Sequence, residues 1–376
     1  MKLLISISYY YPNISGLTIY AKRIAEEMVK RGFEVNILTS RYKKDLLQHE
    51  KINGILVKRV WTPLVFGRGP IMPTFLYDSY KAVKNSDVVN CHLPQFESLC
   101  LTIWAKILRK RLIVTYHCDL ASWPGLINKL QVSAVYLSHL FTCVLADRIV
   151  TSSKDYADNS KFLSLFKNKL VFIFPPITLE KSSGEFKNRW SDIRYKIGFV
   201  GRIAKEKGID YLLKSIPEIN KGIGNDFKIF IVGPEGVVGG GVKNDLSSLM
   251  EKYKRNLVIL GVLKEGEIKD FYKMLDVLVL PSTQSLEAFG MVQVEAMLSG
   301  CPIVTSNIPG VRVPITLTKM GRLVKPNDSQ VLGKVITDVL TNRSSYVTDK
   351  NKVQKIFNLQ GSVILYERVF KSLFNG

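Results

Sequence analysis

No cysteine in this chain has another at C-x-x-C spacing. The five present (Cys91, Cys100, Cys118, Cys143 and Cys301) are scattered and odd in number. A disulfide framework is therefore not expected, and the pattern suits reduced, mostly buried thiols in a cytosol. Zinc-finger spacing, an RNP-like aromatic motif and a compact Lys/Arg block are all missing, so nucleic acid is not an expected partner. Acidic residues are in short supply: 32 Asp+Glu face 53 Lys+Arg, a formal net charge of +21. Such a field attracts polyanions, which leaves an anionic membrane surface or a phosphorylated small molecule. A long lipid-compatible run is also lacking. The most apolar stretch, Val132 to Val150, carries His139, Asp147 and Arg148, which argues against a spanning helix. The apolar start MKLLISISYYYP ends in three tyrosines and a proline, so it reads as a first strand and not as a signal peptide. The expected location is the cytoplasm, in solution or at the cytoplasmic face of a membrane.

What is present is an ordinary globular composition, 46% hydrophobic and 23% charged over 376 residues. That length suits two domains of roughly 180 residues each. Short β-branched runs alternate with longer amphipathic segments. KLLISISY, EVNILTS, DVVNCH, LIVTYH, RIVTSS and LVFIFPP read as strands, with helices such as IYAKRIAEEMVKRG and ESLCLTIWAKILRK between them. Near-continuous apolar strands separated by helices indicate a parallel sheet covered on both faces. After Pro175-Pro176 the polar stretch LEKSSGEFKNRWSD reads as a linker, and the alternation restarts with KIGFVG, KIFIVG, LVILG, DVLVLPS, PIVTS and GRLVKP. The fold class is α/β, two doubly wound units in tandem: residues 1–180, a linker over 181–195, and residues 196–359. Ligands of such sheets bind beyond the carboxyl ends of the strands, and two facing units leave a cleft between those ends. The amphipathic segment VILYERVFKSLF closes the chain.

Four blocks carry chemistry. In the first, DVLVLPS is a buried strand, TQSLEAF the loop after it, and a helix begins near Gly290 and ends at a capping Gly300. The free amides at Gly290, Met291 and Val292 make an anion site suited to a diphosphate. Glu287 before the helix and Glu295 a turn inside it reach the same ligand, where sugar hydroxyls supply the donors a carboxylate needs. In the second block, FVGRIAKEKG, Arg202 offers a planar fork and Lys207 a mobile point charge at the carboxyl end of a strand. The third is Gly16, between the first strand and first helix, where a missing side chain lets backbone approach a phosphate. It falls short of a G-x-G-x-x-G fingerprint. The fourth is TYHCDL, with His117 at a strand end and Asp119 just beyond.

Together these blocks resemble the family-4 retaining glycosyltransferases, whose GT-B fold pairs two Rossmann-like domains. The matching sequences are SGLTIYAKRIAEEMVKRG, TYHCDL, GRIAKEKG and above all EAFGMVQVEAM with its E-x7-E spacing. The resemblance runs over nearly the whole chain. It implies that Glu287 contacts the transferred sugar and Glu295 the ribose hydroxyls, while Arg202 and Lys207 stabilise the departing diphosphate. The amides of Phe289, Gly290, Met291 and Val292 would bind donor sugar and phosphate. His117 would contact a sugar or acceptor hydroxyl, Asp119 would lie on the acceptor side, and Gly16 would pack against the diphosphate. It also implies that residues 360–376 cross back onto the N-terminal domain. Two features depart from the family pattern. IVGPEGVVGGGVKND is longer and richer in glycine, with Gly239-Gly240-Gly241 read as a loop and not a phosphate cradle. FPPITLE lacks the Asn-Gly-(Ile/Val)-Asp common after that strand.

No two aspartates are separated by a single residue, so the Asp-x-Asp metal grip of the other large glycosyltransferase architecture is missing. No cofactor or divalent metal is expected. Basic side chains and helix amides carry the leaving-group charge instead. The expected function is metal-independent transfer with retention from a nucleotide-diphosphate sugar to a hydroxyl acceptor. Basic and apolar residues interleave in VWTPLVFGRGPIMPTF around Arg68 and in LTIWAKILRKRLIV around Arg109 to Arg111. Exposed, both stretches suit an anionic bilayer and a lipid-linked glycan or glycolipid of cell-envelope polysaccharide or glycoconjugate synthesis. The second equally suits a helix covering the sheet. Two alternatives stay open, a non-hydrolysing sugar-nucleotide epimerase and a non-catalytic glycosyltransferase-like scaffold subunit.

Overall fold

The computed structural model describes residues 1–67, 69–120, 125–179, 181–186, 189–234 and 242–374, without the side chains of 242–245 and 265. Arg68 and Gly239–Gly241 lie outside the described residues. The chain divides into two compact units, Met1–Pro176 with Leu359–Gly376, and Ile177–Asn358.

The strands of the first unit are β1 (Lys2–Ser6), β2 (Glu34–Ser40), β3 (His49–Ile52), β4 (Ile55–Val60), β5 (Leu64–Phe66), β6 (Gly69–Ile71), β7 (Val88–Leu93), β8 (Arg111–Tyr116), β9 (Arg148–Thr151) and β10 (Leu170–Phe172). Its helices begin with α1 (Gly16–Lys30), α2 (Phe75–Lys84), α3 (Ser98–Ile107), α4 (Leu126–Leu145) and α5 (Lys154–Asn159). Eight strands form one sheet in the order β10-β9-β8-β7-β1-β2-β4-β3, and β5-β6 form a separate hairpin. Every pairing in the large sheet is parallel except β3 against β4. Central strands such as β7 are buried along their whole length, which is why VVNCHL shows no alternation. The edge strand β3 alternates exposed and half-buried residues, and its polar HEKI carries no apolar signal. The winding reverses between β1 and β7, so the carboxyl ends of those strands form a topological switch point.

The second unit contains β11 (Tyr195–Val200), β12 (Phe227–Val232), β13 (Leu257–Gly261), β14 (Val277–Leu280), β15 (Ile303–Ser306) and β16 (Gly321–Val324). Its helices are α6 (Ile209–Lys214), α7 (Ile216–Ile223), α8 (Val242–Lys252), α9 (Glu265–Met274), α10 (Met291–Leu298), α11 (Val313–Thr318), α12 (Ser329–Thr341) and α13 (Lys350–Ile356). The sheet is wholly parallel, in the order β13-β12-β11-β14-β15-β16. Ile197, Phe199, Val277 and Val304 from its strands pack with Ile209, Leu212 and Ile336 from its helices. Here the switch point lies between β11 and β14.

The described residues of the expected linker, 181–186 and 189–195, fall within this second unit. Ser182, Ser183 and the Gly184 amide all donate to the Asp270 carboxylate on α9. Phe186 stacks on Trp190, which meets Phe230 of β12 edge-on at 4.9 Å. Polar composition suggested a tether, but two aromatics fasten it down.

The last helix, α14 (Leu359–Ser372), is counted with the first unit. Val363, Tyr366 and Phe370 on one of its faces are fully buried. Phe370 meets Phe33, and Glu367 accepts from Arg31 at 2.6 Å just past the end of α1. Removing the Phe370 ring opens a cavity beside Phe33 and Tyr366. Phe370→Ala should therefore cost about 3–5 kcal/mol of unfolding free energy, read from urea unfolding of the whole chain. A loss below about 1 kcal/mol would show that α14 contributes little to this unit.

Candidate active site

At the switch point of the second sheet, two loops leave adjacent strands and meet. After β11 the chain turns through Lys205–Lys207 into α6, and after β14 it runs from Pro281 to Gly290. The Thr283 amide donates to the Glu206 carbonyl at 3.0 Å. Gly208 sits at φ +68°, and a Cβ there would lie 1.9 Å from the Pro281 carbonyl oxygen. Only glycine permits both the left-handed backbone and this approach. Lys207 Nζ then bonds Glu287 Oε2, both side chains largely shielded from solvent. Arg202, more exposed, donates to the buried carboxylate of Glu206 at 2.9 Å. Arg202 and Lys207 thus stand on one turn, beside the loop that carries Glu287.

Gly290, at φ +74°, caps the amino end of α10. The amides of Met291 and Val292 open this helix, where no carbonyl of the preceding turn can reach them. Gln293 Nε2 donates to the carbonyls of Phe289 and Val311 at 2.9 and 3.1 Å, tying the helix start to the loop after β15. Phe289 is buried against Phe357 of unit two. At the far end, the Gly300 and Cys301 amides bond the Met297 and Ala296 carbonyls, a Schellman closure at the expected glycine. Glu287 and Glu295 have different partners. Glu295 is buried and accepts from the Tyr272 hydroxyl of α9 at 3.1 Å.

In the first unit His117 follows β8, and its Nε2 lies 3.0 Å from Nδ1 of the fully buried His92 on β7. The Tyr20 ring packs edge-on against His117 at 4.8 Å. Burial pushes the pKa of His117 down to about 3. His92 is held well below its ordinary value by burial and by His117. Both rings are neutral at physiological pH. Asp119 closes the same loop: its Oδ1 accepts from Tyr116 and Ser160, each at 2.7 Å, and its amide donates to Tyr156. That carboxylate already holds its own loop in place. Gly16 is exposed as the first residue of α1, behind the capping hydroxyl of Ser15.

The family model for glycosyltransferase family 4 matches residues 14–181, and that for glycosyl transferases group 1 matches residues 180–355. The chain belongs to the family-4 glycosyltransferases. An uncharacterised glycosyltransferase of Methanocaldococcus jannaschii is 27% identical over 89% of this chain and 88% of its own length. The O-antigen chain mannosyltransferase C of Escherichia coli is 23% identical over 99% of both chains. Among solved structures, Anabaena HepE in complex with UDP superposes with a TM-score of 0.77 at 18% identity, covering 99% of this chain and 100% of that one. At that identity the likeness concerns the fold, which is GT-B.

Several residues of this glycosyltransferase gave no signal in the sequence. His92 and Asn90 lie inside an apolar strand, and Gln293 on a helix that reads as apolar. Glu97 is a fourth. It sits beyond the carboxyl end of β7, 7% exposed, with Oε2 buried and without a hydrogen-bond partner among the described residues. Burial raises its pKa from 4.5 to about 7. A folded-state value above the unfolded one means that its contribution is fully present below pH 4.5. It is lost as pH rises through about 7. Glu97→Gln should therefore gain stability relative to wild type across that interval, by about 3 kcal/mol once the carboxyl ionises. Urea titrations of both proteins at several pH values measure this, and a pH-independent difference would contradict it.

Proposed function

We propose that this glycosyltransferase moves a sugar from a nucleotide-diphosphate donor to a hydroxyl acceptor with retention at the anomeric carbon and without a divalent metal. The observation that carries the proposal is the Lys207–Glu287 pair at the β11/β14 switch point, beside the amino end of α10. A diphosphate oxygen arriving there competes for the Lys207 ammonium and frees Glu287 for sugar hydroxyls. Arg202, Lys207 and the amides from Phe289 to Val292 supply fixed positive charge where the leaving group gains negative charge. Glu295 is assigned to the ribose hydroxyls. On the first unit, His117 is assigned to a sugar or acceptor hydroxyl and Gly16 to backbone contact with the diphosphate. The bond from the anomeric carbon to the phosphate oxygen breaks as the acceptor oxygen bonds to the same face. The acceptor proton passes to the departing phosphate oxygen. HepE, solved with UDP and with UDP-glucose, supports the donor class.

For the acceptor we propose a lipid-linked glycan or glycolipid reached at an anionic bilayer. No helix among the described residues is long and apolar enough to cross a membrane. The first unit instead exposes apolar side chains in quantity. Leu126, Ile127 and Leu130 on α4 are 75%, 66% and 63% exposed. Leu64, Val65 and Phe66 of the β5-β6 hairpin are also exposed. Gln131 of α4 donates to the Phe66 carbonyl, so hairpin and helix form one surface. With a chain charge of +21, such a surface suits shallow insertion among anionic headgroups. The stretch around Arg109 to Arg111 is divided: Leu101 and Ala105 of α3 are buried and β8 lies inside the sheet, whereas Ile103 and Ile107 of α3 are exposed. The O-antigen mannosyltransferase among the relatives fits an envelope-glycan role.

The test is transfer from a panel of nucleotide-diphosphate sugars to polyprenyl-linked and free glycans, with product anomers read by NMR. Retained configuration and full rate in EDTA are expected, and Glu287→Ala or Lys207→Ala should each lower the rate at least about tenfold, roughly 1.4 kcal/mol of barrier. Inverted product, loss of rate in EDTA or wild-type turnover by Glu287→Ala would each remove the corresponding part. Sedimentation with anionic liposomes should exceed that with neutral ones, and Ile127→Glu/Leu130→Glu should abolish the difference. Equal sedimentation with both would remove the membrane.

A further inference from the structure

Beneath His117 lies a buried row of polar side chains that the transfer reaction as described does not use. The Tyr20 hydroxyl lies 2.8 Å from that of Tyr366 on α14, and Tyr366 lies 3.1 Å from Thr115 Oγ1 on β8. Thr115 Oγ1 donates to Asn90 Oδ1 at 3.0 Å, and Asn90 Nδ2 lies 3.2 Å from His92 Nε2. His92 Nδ1 then faces His117 Nε2 at 3.0 Å. All of these except His117 are buried.

Each hydroxyl has one proton to give, so the row must run in one direction. Tyr20, 5% exposed, has its hydroxyl against Tyr366 and no other hydrogen-bond partner among the described residues. If Tyr366 gave its proton to Tyr20, the Tyr20 proton would be buried without an acceptor, which is costly. With Tyr20 donating, every proton is satisfied: Tyr20 to Tyr366, Tyr366 to Thr115, Thr115 to Asn90 Oδ1. The Asn90 amide nitrogen is then left to donate to His92 Nε2. That atom carries no proton, so the neutral ring holds its proton on Nδ1 and donates it to His117 Nε2. His117 in turn keeps its own proton on Nδ1, which has no partner among the described residues.

We propose that this one-way chain, from Tyr20 and Tyr366 through Thr115, Asn90 and His92, fixes the proton of His117 on Nδ1 and makes that ring a neutral hydrogen-bond donor to a substrate hydroxyl. The proposal rests on the role given above to His117. It makes His92 and Asn90 positioning residues and removes His117 as a general base, because its one ring lone pair is already occupied. The acceptor proton is left to the departing phosphate oxygen. The chain also ties the final helix, through Tyr366, to the protonation state of a site residue.

Two-bond 1H–15N NMR of the full chain labelled at its histidines reads each ring tautomer directly. Only four histidines are present, and single substitutions assign them. Near neutral pH, His92 and His117 should both be Nδ1-protonated, and an Nε2-protonated or charged His117 in the wild-type chain would overturn the proposal whatever the activity of the variants. His92→Leu should bring up the Nε2-protonated form of His117 and lower transfer on the order of tenfold. His92→Asn, whose amide nitrogen replaces Nδ1, should restore most of the rate and the original tautomer. Equal rates and an unchanged His117 tautomer in the Leu variant would also overturn it. An Nδ1-protonated His117 in a chain that transfers no sugar would leave the relay standing and remove the functional role.

Discussion

One backbone hydrogen bond, from the Thr283 amide to the Glu206 carbonyl, joins the two loops that carry the proposed donor site. Lys207 and Glu287 stand 80 residues apart in the chain. They meet because β11 and β14 are neighbours at the point where the winding of the sheet reverses. The loops after those strands can approach so closely only because Gly208 presents no side chain to the Pro281 carbonyl. Gly290 and Gln293 then aim the first amides of α10 at the same edge. Loop length, strand order and two glycines therefore act on one quantity, the separation of a cation, a carboxylate and a helix terminus.

The first unit answers a different constraint. Its central strands carry Asn90, His92 and Thr115 where apolar residues would pack more cheaply, and buried polar groups are tolerated only when hydrogen-bonded. Tyr20 and Tyr366 complete the set, so the last helix is required for polar satisfaction as well as for burying Phe370. Two neutral histidines survive in that interior because charging either would cost more than the surroundings return.

Much of this was legible in the residues themselves. Buried parallel strands announce themselves as unbroken apolar runs, and EAFGMVQVEAM marks a strand–loop–helix turn with carboxylates at either side. The rest leaves no local pattern in the sequence, for physical reasons. The edge strand β3 and the β5-β6 hairpin bury little, and β4 sets Lys58 and Arg59 among its buried apolar residues, so none of them reads as an apolar run. The segment around Phe186 and Trp190 looked like a linker because its charged neighbours outnumber the two rings that fasten it. The pairing of Lys207 with Glu287 and the contact between His92 and His117 are products of strand order, and strand order is not a local property. Asp119, placed just after His117, is held at Oδ1 by Tyr116 and Ser160, contacts that no local pattern announces.

We propose that Lys207, Glu287 and the start of α10 form a diphosphate site that needs no metal. Calorimetric titration of the protein with nucleoside diphosphates in EDTA measures it without any acceptor or turnover. At least one nucleoside diphosphate should bind far more tightly than its monophosphate, and Lys207→Ala should remove most of that advantage while leaving the monophosphate affinity nearly unchanged. Equal affinity for mono- and diphosphate, or a diphosphate affinity untouched by the loss of Lys207, would rule out a diphosphate site at this lysine.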